Sequence, residues 1–396
     1  MNSFADELNR RLVDLREQNL FRELRRVDSP QGVRIEFGGQ AFLNFSSNDY
    51  LGLANHPALK AAAIRAVEKF GAGAGASRLV CGSLAPLHEL EEAFAAFKQT
   101  EAALTFSTGY ATAVGTITAL LGKDDVIILD KLVHASIVDA ARLSGAKIRV
   151  FAHNDLDDLE AKLKWANLAK TESGKRKAEI LVATESIFSM DGDAAPLREI
   201  VALKEKYGAW LMVDEAHATG VTGKHGRGLA SELGVGNRIE IQMGTLGKAL
   251  GASGGYICGS RALVDFLINR ARSFIFSTAP VPAAAAAAAA GIQLVQSVEG
   301  ERLRKELYAH IGEFNSKLKT QNSKLGSAIV PLILGDEERA VAAAAKLREQ
   351  NIFVPAIRYP TVARGAARLR LTFSAGHLPA DIAELVRALK TLDLGL

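Results

Sequence analysis

The chain has 396 residues, of which 48% are apolar and 23% are charged, and its formal net charge is only +4. This length allows two or three domains with separate cores, and the composition is that of a globular protein. Lys and Arg are interspersed with Asp and Glu, which argues against a nucleic-acid-binding surface. The two cysteines, Cys81 and Cys258, each lack a second cysteine nearby, so we expect neither a disulfide nor a metal site.

No segment has the features of a secretion signal or a membrane span. The N-terminal residues carry acids and bases from the start and lack the apolar core of a signal peptide. The most apolar-looking stretch, Ala283–Ala290, is too short and too weakly hydrophobic to cross a bilayer. We therefore expect a cytoplasmic protein with no membrane partner.

The first 45 residues are predicted to form an arm of one helix and one hairpin. Apolar residues recur at roughly helical spacing over residues 4–25, with Arg and Glu between them, which predicts an amphipathic helix. Residues 34–37 and 41–45 flank two glycines, a pattern that is typical of a hairpin.

Residues 46–290 alternate between helices and short apolar strands. The predicted strands are Ala102–Phe106, Asp125–Leu129, Lys147–Phe151, Ile180–Thr184, Trp210–Val213 and Gly255–Cys258. The helices between them include residues 85–98, 110–121, 134–143 and 195–207. This alternation indicates parallel strands joined by crossover helices, and hence an α/β domain. The charged stretch Lys170–Lys177 is predicted to be a solvated loop.

Residues 291–396 have a different pattern and are predicted to form a smaller α+β domain. Strands are expected at residues 328–334, 352–357 and 367–373, and helices at 337–350 and 379–393. We place the boundary between the two domains near residue 291.

An acid lies at the end of a predicted buried strand in the segment Gly208–Gly220, GAWLMVDEAHATG. The carboxyl end of a parallel strand faces the crevice in which such sheets bind ligands, so Asp214 is a candidate site residue. His217 follows three residues later. Alone, the segment is equally typical of a strand followed by a polar turn.

Five glycines surround Lys248 in the segment Met243–Gly255, MGTLGKALGASGG. Glycines let a flat ligand and the backbone approach each other closely, and a lysine on a solvated face rarely has such neighbours. A lysine amine in such a place suits a Schiff base with an aldehyde cofactor. Because Asp214 would keep a pyridine nitrogen protonated, the two residues together predict a site for pyridoxal 5'-phosphate (PLP).

Three weaker signals concern glycines and a histidine. Ser107–Gly109–Tyr110 is a turn that leads into a helix, and the N–H groups at a helix start suit a phosphate. His134 begins a helix after another strand and could stack on a planar ring, although a lone histidine is more often structural. The glycine-rich run Phe70–Leu79 follows a helix rather than a strand, so we interpret it as a flexible loop and not as a dinucleotide site.

Seven blocks of sequence resemble the α-oxoamine synthases, a group of fold-type I PLP-dependent enzymes. They extend over nearly the whole chain and occur in the family's order. The blocks are LNFSSNDYLGLANHP (43–57), GASRLVCGSLAPLHELEEAFAAF (75–97), HASIVDAARLSGA (134–146), ESIFSMDGDAAPL (185–197), VDEAHATGVTGKHGRG (213–228), GTLGKALGASGG (244–255) and IRYPTVARGAARLRLTFSAGH (357–377). The resemblance implies a large PLP-binding domain with a mostly parallel seven-stranded sheet and a smaller α+β C-terminal domain.

Residue by residue, the resemblance implies that Lys248 forms the Schiff base and acts as the catalytic base. It implies that Asp214 pairs with the pyridine nitrogen, that His217 contacts the ring oxygen and that His134 stacks on the ring. The further cofactor contacts that it implies are Gly109, Tyr110, Ser189 and Thr245, with Ser277 and Thr278 reaching the phosphate of the neighbouring subunit's cofactor. A homodimer is therefore expected.

The resemblance also implies a substrate site that includes Asn48, His134, Thr361 and Arg370. Arg370 is the expected carboxylate clamp, because a guanidinium group binds a carboxylate with two hydrogen bonds. An N-terminal arginine should contact the substrate too. Arg22 fits that place best, with Arg25 as the alternative.

The C-terminal block, with NFSSNDYLGL and FAHND, is most similar to the member of the family that acts in biotin synthesis. This implies a condensation of L-alanine with a pimeloyl thioester, with release of carbon dioxide and the thiol. The alternative is a sibling that uses glycine, such as glycine C-acetyltransferase, which would share the catalytic lysine, acid and histidine. The sequence leaves coenzyme A and acyl carrier protein both open as the acyl carrier.

Overall fold

The structure is a computed structural model that describes residues 3–172, 178–318 and 327–392. The chain packs into two compact units, Asn48–Lys305 and the combination of Met1–Ser47 with Glu306–Leu396. The helices are α1 (Phe4–Glu17), α2 (Pro57–Phe70), α3 (Ala85–Lys98), α4 (Gly109–Leu120), α5 (Ala135–Ser144), α6 (Leu156–Glu172), α7 (Leu197–Lys206), α8 (Leu229–Glu232), α9 (Arg261–Arg270), α10 (Arg272–Ile275), α11 (Pro282–Gln296), α12 (Val298–Leu318), α13 (Glu337–Glu349) and α14 (Pro379–Thr391). The strands are β1 (Arg34–Phe37), β2 (Gln40–Asn44), β3 (Ala102–Phe106), β4 (Val126–Asp130), β5 (Lys147–Phe151), β6 (Ile180–Glu185), β7 (Trp210–Asp214), β8 (Ile241–Thr245), β9 (Gly255–Gly259), β10 (Ile329–Gly335), β11 (Ile352–Phe353), β12 (Ala356–Ile357) and β13 (Ala367–Thr372).

A seven-stranded, mostly parallel sheet lies at the centre of the Asn48–Lys305 unit and confirms the predicted α/β class. Its strand order is β3-β9-β8-β7-β6-β4-β5. Strands β8, β7, β6, β4 and β5 are parallel to one another, whereas β9 is antiparallel to both β3 and β8. Because the parallel strands end at the same edge, the last residues of β6, β7 and β8 come together there, where α/β sheets bind ligands.

Apolar side chains cover both faces of this sheet. In β4, Ile127 and Leu129 belong to one core, and Val126 and Ile128 belong to the core on the other face. Successive side chains of a strand point to opposite faces, so a strand that is buried on both sides needs apolar residues at consecutive positions. The continuous apolar runs of the sequence are explained by this arrangement.

Strand β8 is absent from the strands predicted from the sequence. It contains Gly244, and a Cβ atom at that position would lie 2.5 Å from the Tyr256 hydroxyl on the adjacent strand β9. Packing against the tyrosine therefore requires glycine here, although glycine weakens a strand and hides it from propensity arguments.

Helix α1 ends at Glu17, so the prediction of a helix to residue 25 is wrong beyond that point. Gln18 caps the helix, and Asn19 has a φ of 55°, in the left-handed region that ends helices. None of the residues of α1 is buried. Helical spacing of apolar residues therefore does not by itself determine where a helix ends.

The other unit joins the N-terminal hairpin to strands near the C-terminus. β1 is antiparallel to β2, which pairs in parallel with β11. A second sheet has the order β10-β13-β12, with antiparallel neighbours. The sequence-based division treats residues 1–45 as a separate arm and begins the C-terminal domain near residue 291, whereas this unit contains both ends of the chain and resumes at Glu306, within α12.

Three further sequence predictions concern the glycine-rich run, the charged stretch 170–177 and the absence of a membrane span. Residues 71–77, in the glycine-rich run, contain no helix or strand. Of the charged stretch 170–177, helix α6 covers the positions up to Glu172, and the remainder lies outside the described residues. In the part of the chain that the structure describes, no helix is long and apolar enough to cross a membrane.

Candidate active site

A cavity of about 190 Å³ lies at the carboxyl ends of β6, β7 and β8, beside the first residues of α4 and α5. Seven predicted site residues line it: Gly109, Tyr110, His134, Asp214, His217, Thr245 and Lys248. A larger groove of about 770 Å³ lies at the opposite edge of the sheet, beside Glu101, Glu240 and Gly259. That groove contains none of the predicted residues, so we place the active site in the smaller cavity.

Asp214 is the last residue of β7, and its carboxylate is almost completely buried. Its Oδ1 atom accepts a hydrogen bond of 2.9 Å from the Ala216 N–H, which fixes the carboxylate at the strand end. Burial raises the pKa of Asp214, and the positive charge of Lys248 opposes that rise. A cationic ligand group in the cavity would therefore stabilise the ionised form of this side chain.

Glu185 is a buried carboxyl group that the sequence reasoning did not single out. It ends β6 and is paired in register with Asp214. Its Oε2 atom accepts a hydrogen bond of 3.0 Å from the Ser189 N–H, whereas its buried Oε1 atom has no hydrogen-bond partner among the described residues. Burial, together with the charge of Asp214, raises the pKa of Glu185 well above its usual value. Burial and the neighbouring charge therefore favour the neutral form of Glu185.

Lys248 lies in a turn that follows β8. Thr245 shapes this turn, because its hydroxyl donates to the Gly254 carbonyl at 2.9 Å and accepts the Gly247 N–H at 3.2 Å. Lys248 Nζ lies 2.8 Å from His217 Nε2. Two side chains predicted to be catalytic are thus in direct hydrogen-bond contact.

His134 caps the amino end of helix α5. Its Nδ1 atom accepts the Ser136 N–H at 3.2 Å and lies 2.8 Å from the Ser136 hydroxyl. An imidazole that accepts at Nδ1 carries its proton at Nε2, so His134 can donate a hydrogen bond from that atom. Burial lowers the pKa of His134 and keeps the ring neutral, although the charge of Asp214 partly offsets this effect.

Helix α4 begins at the cavity with Gly109 and Tyr110. The Thr108 side chain caps this helix by accepting the Ala111 N–H at 3.0 Å. The first N–H groups of a helix have no acceptor within the helix, and they suit a phosphate. The Tyr110 hydroxyl donates to Asp139 at 2.9 Å.

The residues of this cavity fit PLP. Lys248 supplies an amine for the aldehyde, and Asp214 supplies the buried anion that a protonated pyridine nitrogen requires. The start of α4 supplies phosphate ligands. The buried Glu185 Oε1 atom has no hydrogen-bond partner among the described residues, as expected beside a polar ligand.

Three predicted cofactor residues do not line the cavity. Ser189 is buried four positions beyond β6, where its backbone contacts Glu185. Ser277 and Thr278 lie in the segment before α11, and Thr278 forms a β-bridge with Ser77. The role of these two residues in a neighbouring subunit stays a prediction.

The predicted substrate residues fall in both compact units. Asn48 is in the unit of the cavity, where its Oδ1 atom accepts the Tyr50 hydroxyl at 3.0 Å. Arg22, Thr361 and Arg370 belong to the other unit, in which Arg22 Nη2 donates to the Tyr359 carbonyl at 3.3 Å. Arg22 thus lies beside the turn that carries Thr361.

The alternative arginine and the carboxylate clamp occupy different places in that unit. Arg25 lies over the Phe353 ring at 5.8 Å. Arg370 is buried in β13, where it is paired with Pro331 across the sheet.

Sequence reasoning missed Tyr50 and Lys98 as well as Glu185. Tyr50 lies in the block LNFSSNDYLGLANHP, and its hydroxyl lies 2.6 Å from His217 Nδ1. Lys98 is buried at the end of α3 and contacts Glu215. An isolated tyrosine or lysine gives no local signal of such contacts, because its partner is more than 100 positions away.

Comparison with known proteins identifies relatives along nearly the whole chain. Residues 40–389 match the family model described as aminotransferase class I and II. The chain is 48% identical over 392 residues to the 8-amino-7-oxononanoate synthase of Geotalea daltonii, which covers 98% of this chain and 97% of that protein. It is 46% identical to the same enzyme of Geobacter sulfurreducens, and the match covers 97% of this chain and 98% of that protein. Among solved structures, a lysine-to-alanine variant of serine palmitoyltransferase from S. paucimobilis with a bound PLP–myriocin aldimine superposes on this chain with a TM-score of 0.89. The two sequences are 29% identical, and the match covers 98% of this chain and 96% of that one.

Proposed function

Because this chain belongs to the aminotransferase class I and II family, and within it to the 8-amino-7-oxononanoate synthases, we propose that it condenses L-alanine with a pimeloyl thioester. The chain is a PLP-dependent acyltransferase of biotin synthesis. The proposed products are 8-amino-7-oxononanoate, carbon dioxide and the free thiol. The observation that carries the proposal is the contact of Lys248 with His217 in the cavity that also contains Asp214.

The proposed reaction requires a base, an electron sink and a clamp for the carboxylate. When PLP is bound, its protonated ring supplies the sink that stabilises negative charge on the α-carbon of alanine. Lys248 Nζ removes the α-proton and later returns a proton to the same carbon. Asp214, as an anion, holds the proton on the ring nitrogen.

The new carbon–carbon bond joins the α-carbon of alanine to the thioester carbonyl carbon. The carbon–sulfur bond then breaks, and the thiolate leaves and takes up a proton. The bond between the α-carbon and its carboxylate breaks next, carbon dioxide leaves, and the α-carbon takes up the proton that Lys248 returns. His134 is placed to assist, because its Nε2–H can donate a hydrogen bond to the thioester oxygen as negative charge develops there. Its neutral state, which burial favours, keeps that donor available without adding a second cation beside Lys248.

The substrate residues are proposed from the family pattern and from their chemistry. Arg370 would bind the alanine carboxylate with two hydrogen bonds, and Asn48 would add a neutral contact. For the pimeloyl chain we favour Arg22 over Arg25, because Arg22 contacts the Tyr359 carbonyl beside Thr361. An anionic carboxylate at the far end of the acyl chain would suit a guanidinium group.

We also propose a homodimer. The Ser77–Thr278 bridge places two chain segments side by side, and the apolar side chains exposed on and next to them define a patch: Leu79, Val80, Phe276 and Val281. Val80 is 78% exposed and Phe276 is 70% exposed. Exposed apolar residues that cluster in this way are typical of an interaction surface. In such a dimer, the family pattern implies that Ser277 and Thr278 of one copy contact the phosphate of the cofactor in the other copy.

The test is to titrate the visible spectrum of the holoenzyme with L-alanine and with glycine, and then to assay both with pimeloyl thioesters. We expect a spectral change at lower concentrations of L-alanine than of glycine, and formation of 8-amino-7-oxononanoate. A response to glycine alone would move the chain to a sibling activity. Coenzyme A and acyl carrier protein thioesters are compared in the same assay, which identifies the acyl carrier.

A further inference from the structure

His153 lies in the loop between β5 and α6, and each of its ring nitrogens faces a carboxylate. Nδ1 lies 3.0 Å from Asp130 Oδ1, and Nε2 lies 2.8 Å from Asp193 Oδ2. Asp130 ends β4 and has a fully buried side chain, and Asp193 lies in the segment after β6. Because β6, β4 and β5 are adjacent in the sheet, His153 connects the carboxyl ends of three neighbouring strands.

Asp130 anchors the segment that carries His134. Its Oδ1 atom also accepts the Leu132 N–H at 2.8 Å, and its Oδ2 atom accepts the Asn154 N–H at 2.9 Å. The Val133 N–H donates to the Asp130 carbonyl at 3.3 Å, which closes the turn immediately before His134. The place of His134 at the cavity therefore depends on how Asp130 is held.

Asp193 closes the turn that contains Ser189. Its carbonyl accepts the Phe188 N–H at 3.0 Å. The Phe188 ring packs edge-on against the His153 imidazole, with 4.3 Å between the ring centres. His153 thus contacts both ends of this turn, and Ser189 within it donates its N–H to Glu185 in the cavity.

The geometry around the imidazole determines its charge. An ionised carboxylate only accepts hydrogen bonds, so an imidazole between two of them must carry a proton on each nitrogen and is then a cation. Asn154 Nδ2, which lies 3.3 Å from Nε2, donates to the same Asp193 oxygen at 3.0 Å. Burial lowers the pKa of His153, but the hydrogen bonds to Asp130 and Asp193 raise it to about 10.

Other charged groups beside this loop have partners of their own or are exposed. Asp158, at the start of α6, pairs with Lys162 at 2.8 Å. Lys131 follows Asp130 directly and is exposed to solvent. The two aspartates that contact the ring therefore have the largest effect on its charge.

We propose that His153 is a positioning residue that acts as a cationic bridge between Asp130 and Asp193. The bridge holds the segments that carry His134 and Ser189 in place at the cavity, because supporting hydrogen bonds fix the residues of a site. A neutral side chain at this position leaves at least one carboxylate without a charged donor. The inference deepens the proposed function and rests on the cavity being the PLP site, but it does not depend on which amino acid is the substrate.

The first measurement is the protonation of His153, by NMR on the cofactor-free, full-length protein with ¹⁵N-labelled histidine. The chain has eight histidines, and His153→Gln identifies the signal by its loss. Asp193→Asn, which keeps the histidine, identifies the same signal by its shift. We expect protons on both ring nitrogens at neutral pH and loss of one near pH 10, whereas an ordinary histidine loses it near pH ~6.5. A neutral ring at neutral pH would overturn the proposal.

The second measurement is how the protein holds PLP in the absence of substrate. PLP is achiral, so its visible circular dichroism arises from its fixed placement in the protein. His153→Gln should reduce this signal per bound PLP and weaken PLP binding about two- to tenfold, the range expected for one net hydrogen bond. Asp193→Asn, which breaks the bridge on one side, should act in the same direction and gives the comparison if His153→Gln does not fold.

His56→Gln is the matched control. The His56 side chain is 23% exposed, against 24% for His153, and it pairs with Glu299 at 3.4 Å. It should change neither the circular dichroism nor the affinity for PLP. Unchanged values in His153→Gln, or equal effects in His56→Gln, would contradict the positioning role. A chain that condenses glycine would contradict the proposed substrate and still show the expected effects of His153→Gln, so the two failures are distinguishable.

Discussion

Lys98 and Glu215 form a buried ion pair, with 2.7 Å between Nζ and Oε2, and Glu215 lies between Asp214 and His217 in the chain. Lys98 Nζ also donates to Thr219 Oγ1 at 3.0 Å and to the Arg227 carbonyl at 2.6 Å. Burial alone would lower the pKa of Lys98, but the Glu215 carboxylate raises it above its usual value. The pair thus joins the end of helix α3 to the loop that follows β7.

Removal of the lysine should destabilise the chain strongly. Lys98→Met leaves the Glu215 carboxylate buried without its cation, and breaking a buried pair in this way costs about 3–5 kcal/mol. The free energy of unfolding, measured by urea denaturation, tests this. The double variant Lys98→Met/Glu215→Gln removes the unpaired charge and keeps an acceptor for the Ala230 N–H, so it should be more stable than the single variant. A single variant that is as stable as the unaltered chain would contradict the role of the pair.

Substitution of Lys248 should remove cofactor attachment and turnover together. Borohydride reduction of the holoenzyme should leave PLP covalently bound to the peptide that contains Lys248, as mass spectrometry would show. Lys248→Ala should give no such adduct and no measurable product, with an unchanged circular dichroism spectrum. Lys164→Ala serves as the control, because Lys164 pairs with Glu160 on the exposed side of α6. Appreciable turnover by Lys248→Ala would exclude this lysine as the base.

The raised pKa of Glu185 predicts a pH dependence of stability. Its pKa is raised in the folded chain above the usual 4.5, so above that pH the folded state binds a proton that the unfolded state has lost. The stability that this group contributes is present below pH 4.5 and is lost as the pH rises toward the folded pKa. Glu185→Gln, which mimics the neutral acid, should remove this part of the decline.

The measurement is the difference in free energy of unfolding between cofactor-free Glu185→Gln and the unaltered chain at several pH values from 4.5 upward. We expect the variant to gain relative stability as the pH rises. A difference that is independent of pH would show that Glu185 has an ordinary pKa in the folded chain.

If the exposed patch around Phe276 forms the dimer interface, a single substitution in it should weaken the dimer. Phe276→Asp places a charge on the patch and should shift the chain toward a monomer, because burial of an unpaired carboxylate in an interface is costly. Size-exclusion chromatography with light scattering measures the mass. Phe266→Asp is the control, since Phe266 is also exposed but lies at the groove on the opposite edge of the sheet. A Phe276→Asp variant that stays dimeric would place the interface elsewhere.

Much of the fold follows from local patterns. The buried strands of the large unit are continuous apolar runs because both faces of the sheet are covered, so their positions are readable within one or two residues. Local reasoning failed where packing overrides propensity. Gly244 in β8 is required by Tyr256, and α1 stops at Glu17 because Asn19 adopts a left-handed backbone conformation that ends the helix.

The sequence by itself determined which chemistry this protein performs. A lysine among five glycines and an acid at a strand end identify a PLP enzyme from residue types and spacing, since the cofactor needs an amine, an anion and close backbone approach. The tertiary structure alone decided what surrounds these groups. Tyr50 contacts His217 across 167 positions, and Lys98 contacts Glu215 across 117. Such contacts depend on how distant elements pack, and the pKa values and tautomers that they set cannot be derived from local sequence, because burial and charge are properties of the folded neighbourhood.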